Sequence, residues 1–428
     1  MRTFVNFYLV LFTVSAFAQT TSQQNSAPLQ EGDPKEVGMS EERLDKIDAM
    51  LTEEVTEGHI PGAVALIARK GKIVFHKAYG VDNGEKKRPL EKDAIFRIAS
   101  QTKAITATAV MMLWEEGKFQ LDDKISTYIP EFQEAQILDT FNDADSTYTT
   151  KPAENQITIR DLLTHTSGIG YGMIDGDERF RKIYAKAGII DAFTSEKVLL
   201  SDNIKKMAKL PLHHEPGENW TYSEGLDVLG YLVEIISETP FDEFLRTRIF
   251  EPLGMKDTWF YLPKEKQSRL VAVQVNDNGN WKRFTTPVFE IDYPKKGAMS
   301  YFSGGAGLSS TALDYASFLQ MYLNGGELNG TRLLSRTTVN VILSNQIGDI
   351  WKGSNSYGLA FELVNAKGEV EGGKGSAGTF DWGGYFNTQY FADPKEEVIG
   401  IIMKQTQGPV VSDNQWKFRQ MLFSSIDD

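Results

Sequence analysis

Ser100 and Lys103 form the only Ser-x-x-Lys in the chain, within "FRIASQTKAITATAVMMLWEEGK" (Phe96–Lys118). A serine hydroxyl becomes a nucleophile when its proton is removed, and a lysine amine can remove it. Residues three apart share one face of a helix. Ala104, Ile105, Ala107, Ala109, Val110, Met111, Met112 and Leu113 follow. They are apolar nearly all round, which marks a buried helix. Burial would disfavour the charged form of Lys103, as a proton acceptor requires. The helix N-terminus would stabilise negative charge developing near Ser100. A chain of 428 residues should hold roughly one or two such pairs by chance. The stretch is equally compatible with a bland reading, in which Ser100 caps the helix and Lys103 decorates its surface.

Two further stretches carry chemistry-bearing residues. In "PGENWTYSEGLDVLG", Tyr222 precedes a helix that starts near Gly225, on a loop held by Pro216 and Gly217. Taken alone, such a tyrosine is a packing residue. In "SAGTFDWGGYFNTQYFADP", Trp382, Gly383 and Gly384 lie inside a strand pattern. Paired glycines there mark close approach of a ligand or another backbone, or else a β-bulge.

Competing chemistries find little support. No Gly-x-Ser-x-Gly elbow occurs, which argues against an α/β-hydrolase triad. "GGKGSAG" lacks the Gly-Lys-Ser/Thr of a phosphate loop. His213, His214 and Glu215 are consecutive and so miss the helical spacing of a zinc protease. They read as an exposed loop. His59 and His76 have no obvious partner. The chain has no cysteine, which removes disulfides, thiolate nucleophiles and Cys-ligated zinc together. No metal or organic cofactor is implied.

The elements that must position these residues follow from periodicity. Ser40 opens a helix with Leu44, Ile47, Leu51 and Val55 at helical spacing, ended by Gly58. "GAVALIA" and "KIVFHKAYG" flank Arg69-Lys70-Gly71, a hairpin signal. A mainly helical region follows Ser100 to about residue 260. "GGAGLSSTALDYASFLQMYLNGG" is a Gly-rich loop feeding a helix. Strand patterns return in "YGLAFELV", "GTFDWGGYFNTQYFAD" and "EVIGIIMKQ", with a turn at Asp393-Pro394-Lys395-Glu396. The expected fold class is α/β (α+β): one antiparallel sheet built from both ends of the chain, flanked by helices, with a mainly helical insertion. The α/β lobe would span about 40–98 and 300–428, and the helical lobe about 99–299. A cleft is expected where such lobes meet.

The formal net charge is -13 and no dense Lys/Arg run occurs, so nucleic acid is not an expected partner. Arg2, the apolar run Phe4–Phe17 and Ala16-Phe17-Ala18 read as an export signal cleaved after Ala18. That run is shorter than the ~20 apolar residues of a membrane span, and no later segment reaches that length. The expected location is periplasmic or secreted. Residues 19–33 read as a flexible leader, and 34–428 as the working domain. The sequence says nothing of oligomeric state.

With "TIRDLLTHTSGI" and "GGAGLSSTALDYASFLQMYLNGG" set beside the three stretches, the chain resembles the serine β-lactamase/penicillin-binding superfamily. The resemblance is strongest to the class C-like branch containing family VIII carboxylesterases, and runs from about residue 40 to 420. It implies that Ser100 is the acylated nucleophile, Lys103 its helix-borne partner and Tyr222 a general acid/base. It also implies an oxyanion hole of the Ser100 and Tyr385 backbone N–H groups, with Trp382, Gly383 and Gly384 on the third-motif strand. His165 would brace the loop around the site. Two departures bear on substrate. Tyr222-Ser223-Glu224 stands where β-lactamases have Tyr-x-Asn, and Trp-Gly-Gly where they have Lys-Thr-Gly. A carboxylate at Glu224 only accepts hydrogen bonds, and Trp382 removes a cation that would meet a substrate carboxylate. The resemblance therefore implies an exported hydrolase acting on neutral, short-chain carboxylic esters. A D-stereospecific peptidase or weak β-lactamase is the alternative within enzymes. A non-catalytic penicillin-binding-like module is the alternative outside them.

Overall fold

The computed structural model describes residues 27–408 and 412–428. The export signal and the first part of the leader lie outside the described residues. One mixed sheet dominates. Its strands are β1 (Gln30–Glu31), β2 (Gly62–Arg69), β3 (Lys72–Asn83), β4 (Arg88–Pro89), β5 (Asn355–Tyr357), β6 (Glu362–Val364), β7 (Phe380–Gly384), β8 (Thr388–Asp393) and β9 (Val398–Met403). The order is β1-β3-β2-β9-β8-β7-β6-β5, with β4 on β3. The two ends of the chain meet where β2 pairs antiparallel with β9.

All eight residues of β2 are buried, because helices cover both sheet faces. Alternation sorts them. Val64, Leu66 and Ala68 face the main core, and Ala63, Ala65 and Ile67 face a second one. The second core is closed by α1 (Glu41–Thr56) and the C-terminal helix Asn414–Ser424, through Leu44, Ile47, Leu51, Phe418 and Leu422. The main core takes in three further helices: α2 (Thr102–Glu115), α3 (Gly225–Ser237) and α4 (Ala312–Leu323). The β2–β3 hairpin turns on Lys70 (φ 49°) and Gly71 (φ 77°), the left-handed pair that matches strand twist. Ser40 caps α1 by accepting from the Arg43 N–H.

Three expectations meet a different outcome. Gln30–Glu31, polar enough to read as leader, pairs parallel with β3, since an edge strand needs only backbone groups. "YGLAFELV" is not one strand. Gly358 N–H donates to Phe361 O and Ala360 has φ 66°, so the run closes a turn between β5 and β6. Within the region expected to be mainly helical, Gln136–Asn142 and Thr147–Pro152 form a hairpin. Its exposed Thr, Asp and Asn residues carry no apolar alternation to signal strands.

Candidate active site

Ser100 occupies a tight helical turn, Ala99–Gln101, between the short strand Phe96–Arg97 and α2. It is not a helix cap, since no side-chain bond caps either the turn or α2. Ala99 has φ 44°, a left-handed conformation unusual outside glycine. The preceding strand is fixed from both sides. It pairs with Ser309–Ser310, and the Gln405 side chain bonds both the N–H and the C=O of Arg97 at 3.1 and 3.0 Å. Arg97 is itself buried, donating to Ile291 O and Val271 O. Neither Gln405 nor Arg97 carries a sequence signal for this role, because the contacts join distant parts of the chain.

Lys103 is fully buried on the first turn of α2. Its Nζ donates to Gly305 O at 2.8 Å and lies 3.5 Å from Ser100 Oγ. Lys103 Nζ sits 4.6 Å from the Tyr222 ring centroid and 5.4 Å from that of Tyr171. Asp227 on α3 lies behind it. A Cβ on Gly305 would come within 2.3 Å of Asp227 Oδ2, so only glycine lets the carbonyl reach Lys103. Burial pushes the Asp227 carboxyl above its usual range, and Ser303 and Lys103 oppose that.

The Tyr222 hydroxyl donates to Ser100 Oγ at 2.6 Å. His165 sets its place. Thr221 N–H donates to His165 O, and Ser223 N–H donates to His165 Nδ1, so one residue grips the chain on both sides of Tyr222. His165 is fully buried. Burial, then the Lys103 charge, hold its pKa well below the ordinary value, which leaves a neutral ring that can accept at Nδ1. The Tyr222 ring also stacks on Tyr171 at 5.4 Å and meets Trp382 at 5.8 Å.

On β7, pairing with β6 reaches only Phe380 and Asp381. The Trp382–Gly384 edge beyond is therefore left unpaired on that side. The register with β8 is regular through Gly384, so the glycines do not mark a bulge. A Cβ on Gly384 would lie 2.4 Å from Ile98 O and 2.3 Å from Thr388 Oγ1. Close approach of β7 to the chain before Ser100 is what excludes a side chain. Tyr385 follows at the hairpin tip. Its C=O accepts from Gln407 Nε2 at 2.7 Å. Its N–H has no protein acceptor among the described residues.

Ser100, Tyr222, Trp382, Gly383 and Tyr385 line one cavity of about 410 Å³, with Ile174, Phe391 and Phe418 among its apolar walls. Its one cation among the described lining residues, Arg419, is paired with Asp381 at 2.7 Å. Glu224 is not in that wall. Its side chain is buried, and Oε1 accepts from Gly172 N–H. The carboxylate read as facing substrate points inward instead, because α3 begins there and turns it towards the 170s loop. His213 pairs with Asp175 and stacks on Phe180, while His214 bonds Glu215 O and Thr221 Oγ1. These histidines hold loops. Among the described residues, no three His, Cys, Asp or Glu side chains are placed to bind a metal ion.

The sequence matches the Beta-lactamase family profile over residues 47–423. It is 30% identical over 365 residues to esterase EstB of Burkholderia gladioli, covering 81% of this chain and 86% of that one. It is 30% identical over 397 residues to the lovastatin esterase of Penicillium rubens, covering 86% and 94%. Among solved structures, EstCE1, described as a hydrolase with promiscuous acyltransferase activity, superposes with a TM-score of 0.76 at 22% identity, covering 90% of this chain and 98% of that one. The chain belongs to the beta-lactamase family and is a serine hydrolase of that fold.

Proposed function

We propose that the protein hydrolyses small, neutral carboxylic esters through an acyl-enzyme on Ser100. The observation that carries this reading is the 2.6 Å contact of the Tyr222 hydroxyl with Ser100 Oγ, with Lys103 Nζ buried beside the same oxygen. The pair acts in the form that holds one proton fewer than Tyr-OH with Lys-NH₃⁺: Ser100 Oγ attacks the ester carbonyl carbon, and its proton fills that place in the Tyr222–Lys103 pair. The tetrahedral oxyanion takes hydrogen bonds from the Ser100 and Tyr385 N–H groups, worth most in a site closed to water. The pair then returns the proton to the leaving alkoxide, and the alcohol departs. Water repeats the sequence on the acyl-enzyme and frees the acid.

The preference for neutral esters rests on the cleft. Trp382 contributes an aromatic wall where a lysine would offer a cation, and Arg419 is already neutralised by Asp381. The named esterases among the relatives point the same way. The apolar run Phe4–Phe17 supports export to the periplasm or medium. No helix among the described residues is long and apolar enough to cross a membrane.

The test is p-nitrophenyl butyrate hydrolysis with mass spectrometry of the trapped acyl-enzyme. Wild type should carry the acyl group on Ser100, and Ser100→Ala should fold and be inactive. Acylation elsewhere, or full activity in the variant, refutes the proposal.

A further inference from the structure

Behind Tyr222, away from the cleft, lies a pair of acidic side chains that acylation does not use. Glu224 is 1% exposed. Asp191 is partly exposed and lines a second, open cavity of about 780 Å³. The two carboxyl groups accept from consecutive amides of one loop and so lie side by side. Asp191 Oδ1 and Glu224 Oε2 are buried and accept from no protein donor among the described residues. Their remaining oxygens accept from consecutive amides: Glu224 Oε1 from Gly172 N–H, and Asp191 Oδ2 from Met173 N–H. A Cβ on Gly172 would sit 2.1 Å from Asp191 Oδ1, so the pair closes over a position that only glycine can fill. The loop so held carries Tyr171, whose ring stacks on Tyr222 with planes 18° apart.

Two ionised carboxylates held on consecutive amides repel, and a single proton between the two unpartnered oxygens would satisfy both. We propose that Glu224 and Asp191 share a single proton and act as a clamp on Tyr171–Met173, which, through the Tyr171–Tyr222 stack, positions the Tyr222 hydroxyl on Ser100. Loss of that proton at alkaline pH opens the clamp. The proposal rests on the reading of Tyr222 as the group that moves the Ser100 proton. Glu224 is a positioning residue, since it touches neither cleft nor nucleophile.

The surroundings favour a proton on Glu224. Burial, then Asp191, raise its pKa well above the usual carboxyl range, with Asp227 adding to the shift. Asp191, nearer solvent, is raised by burial, with Asp175 adding, while the bonds from Glu224 and Met173 N–H oppose the rise. Lys103 acts on Asp227. Tyr171, Tyr184 and Tyr301 also face this cluster, and burial then neighbouring charge raise all three well above the ordinary phenol range. Asp175 is paired with His213.

Glu224→Gln separates the proton from the hydrogen bonds. Its amide oxygen can accept from Gly172 N–H and its NH₂ can donate to Asp191, with nothing to titrate. The wild-type minus Glu224→Gln difference infrared spectrum at neutral pH should show a protonated-carboxyl stretch, the contribution of other raised carboxyls such as Glu362 cancelling between the two. In kcat–pH profiles for p-nitrophenyl butyrate, the alkaline limb of wild type should move up or vanish in Glu224→Gln. Glu224→Ala should lower kcat by about 10- to 100-fold, the scale of a misplaced catalytic group, with KM little changed. Absence of the infrared band, or an unchanged alkaline limb in Glu224→Gln, overturns the clamp. A band present in a wild type that hydrolyses no ester refutes the esterase reading and leaves the shared proton standing.

Discussion

Tyr222 and Ser100 meet at 2.6 Å, hydroxyl to hydroxyl, with Lys103 Nζ 3.5 Å from the same serine oxygen. Three residues from two distant segments converge on one proton. Lys103 donates to Gly305 O as well, which holds its Nζ beside the Tyr222 ring.

That convergence makes the two partners interdependent. Lys103→Ala and Tyr222→Phe should each lower kcat/KM for a p-nitrophenyl ester by about 10²-fold or more, as expected of acid–base groups. The double variant should lose little beyond the worse single one, because residues on one proton path act as a unit. A double loss equal to the product of the single losses would show two separate contributions.

Type and spacing single out Ser100 and Lys103 as a candidate pair, but Tyr222 taken alone reads as packing, and it is the family resemblance that joins the three. Ser-x-x-Lys places two side chains on one helix turn, and an apolar run buries them. What positions them is not legible. Gln405 stitches the strand before Ser100, and Gly305 admits a carbonyl to Lys103; both act across long stretches of sequence. Glu224 shows the same limit in reverse. Its neighbours in sequence place it beside Tyr222, yet the first turn of α3 rotates the side chain inward to Asp191. The sheet from the two chain ends is legible through its apolar runs. β1 and the hairpin at Gln136–Pro152 are not, since solvent-exposed strands need no apolar alternation.

Gly384 supplies a steric prediction. Gly384→Ala would set a methyl 2.4 Å from Ile98 O, forcing β7 away from the chain that leads to Ser100. Overpacking of this kind costs about 1–3 kcal/mol, so the melting temperature should fall. Displacing the Tyr385 N–H should lower kcat by about 10²-fold, the scale of losing one oxyanion donor. Gly383→Ala is the control. Its Cβ meets Thr388 O only at 3.3 Å, and it should be milder on both measures. Equal effects would detach Gly384 from the oxyanion hole.

Glu362 gives a pH dependence of stability. It lines the far end of the cleft, where burial, then the Asp381 charge, push its carboxyl up to about 7. A group raised above its unfolded value binds its proton more tightly when folded. Its stabilising contribution is therefore complete below the ordinary glutamate range and is lost as pH rises towards and through about 7. Melting temperature should decline over that window in wild type, and Glu362→Gln should flatten the decline. A variant with the same slope as wild type would place the titration elsewhere.

Trp382 bears on which substrates the site accepts. A β-lactam presents a carboxylate to the third-motif strand. A charge-assisted contact to such a group is worth ~1.5–3 kcal/mol, or roughly 10- to 150-fold in binding. Trp382 cannot make that contact, and Arg419, the one cation among the described lining residues, is engaged with Asp381. Glu224, buried beneath the loop, neither helps nor hinders an anionic substrate directly. Neutral esters need only Ser100, Lys103, Tyr222 and the two N–H groups. Wild type should therefore hydrolyse p-nitrophenyl butyrate far better than nitrocefin. Trp382→Lys should raise kcat/KM for nitrocefin relative to the ester by about 10-fold or more, the lower end of that range. The gain will be reduced by loss of the Trp382 packing against Tyr222 and Tyr357, which should appear as a lower melting temperature. Trp382→Phe controls for that packing, and should change selectivity little. If wild type already turns over nitrocefin efficiently, the missing cation does not set specificity, and the cleft is that of a β-lactamase.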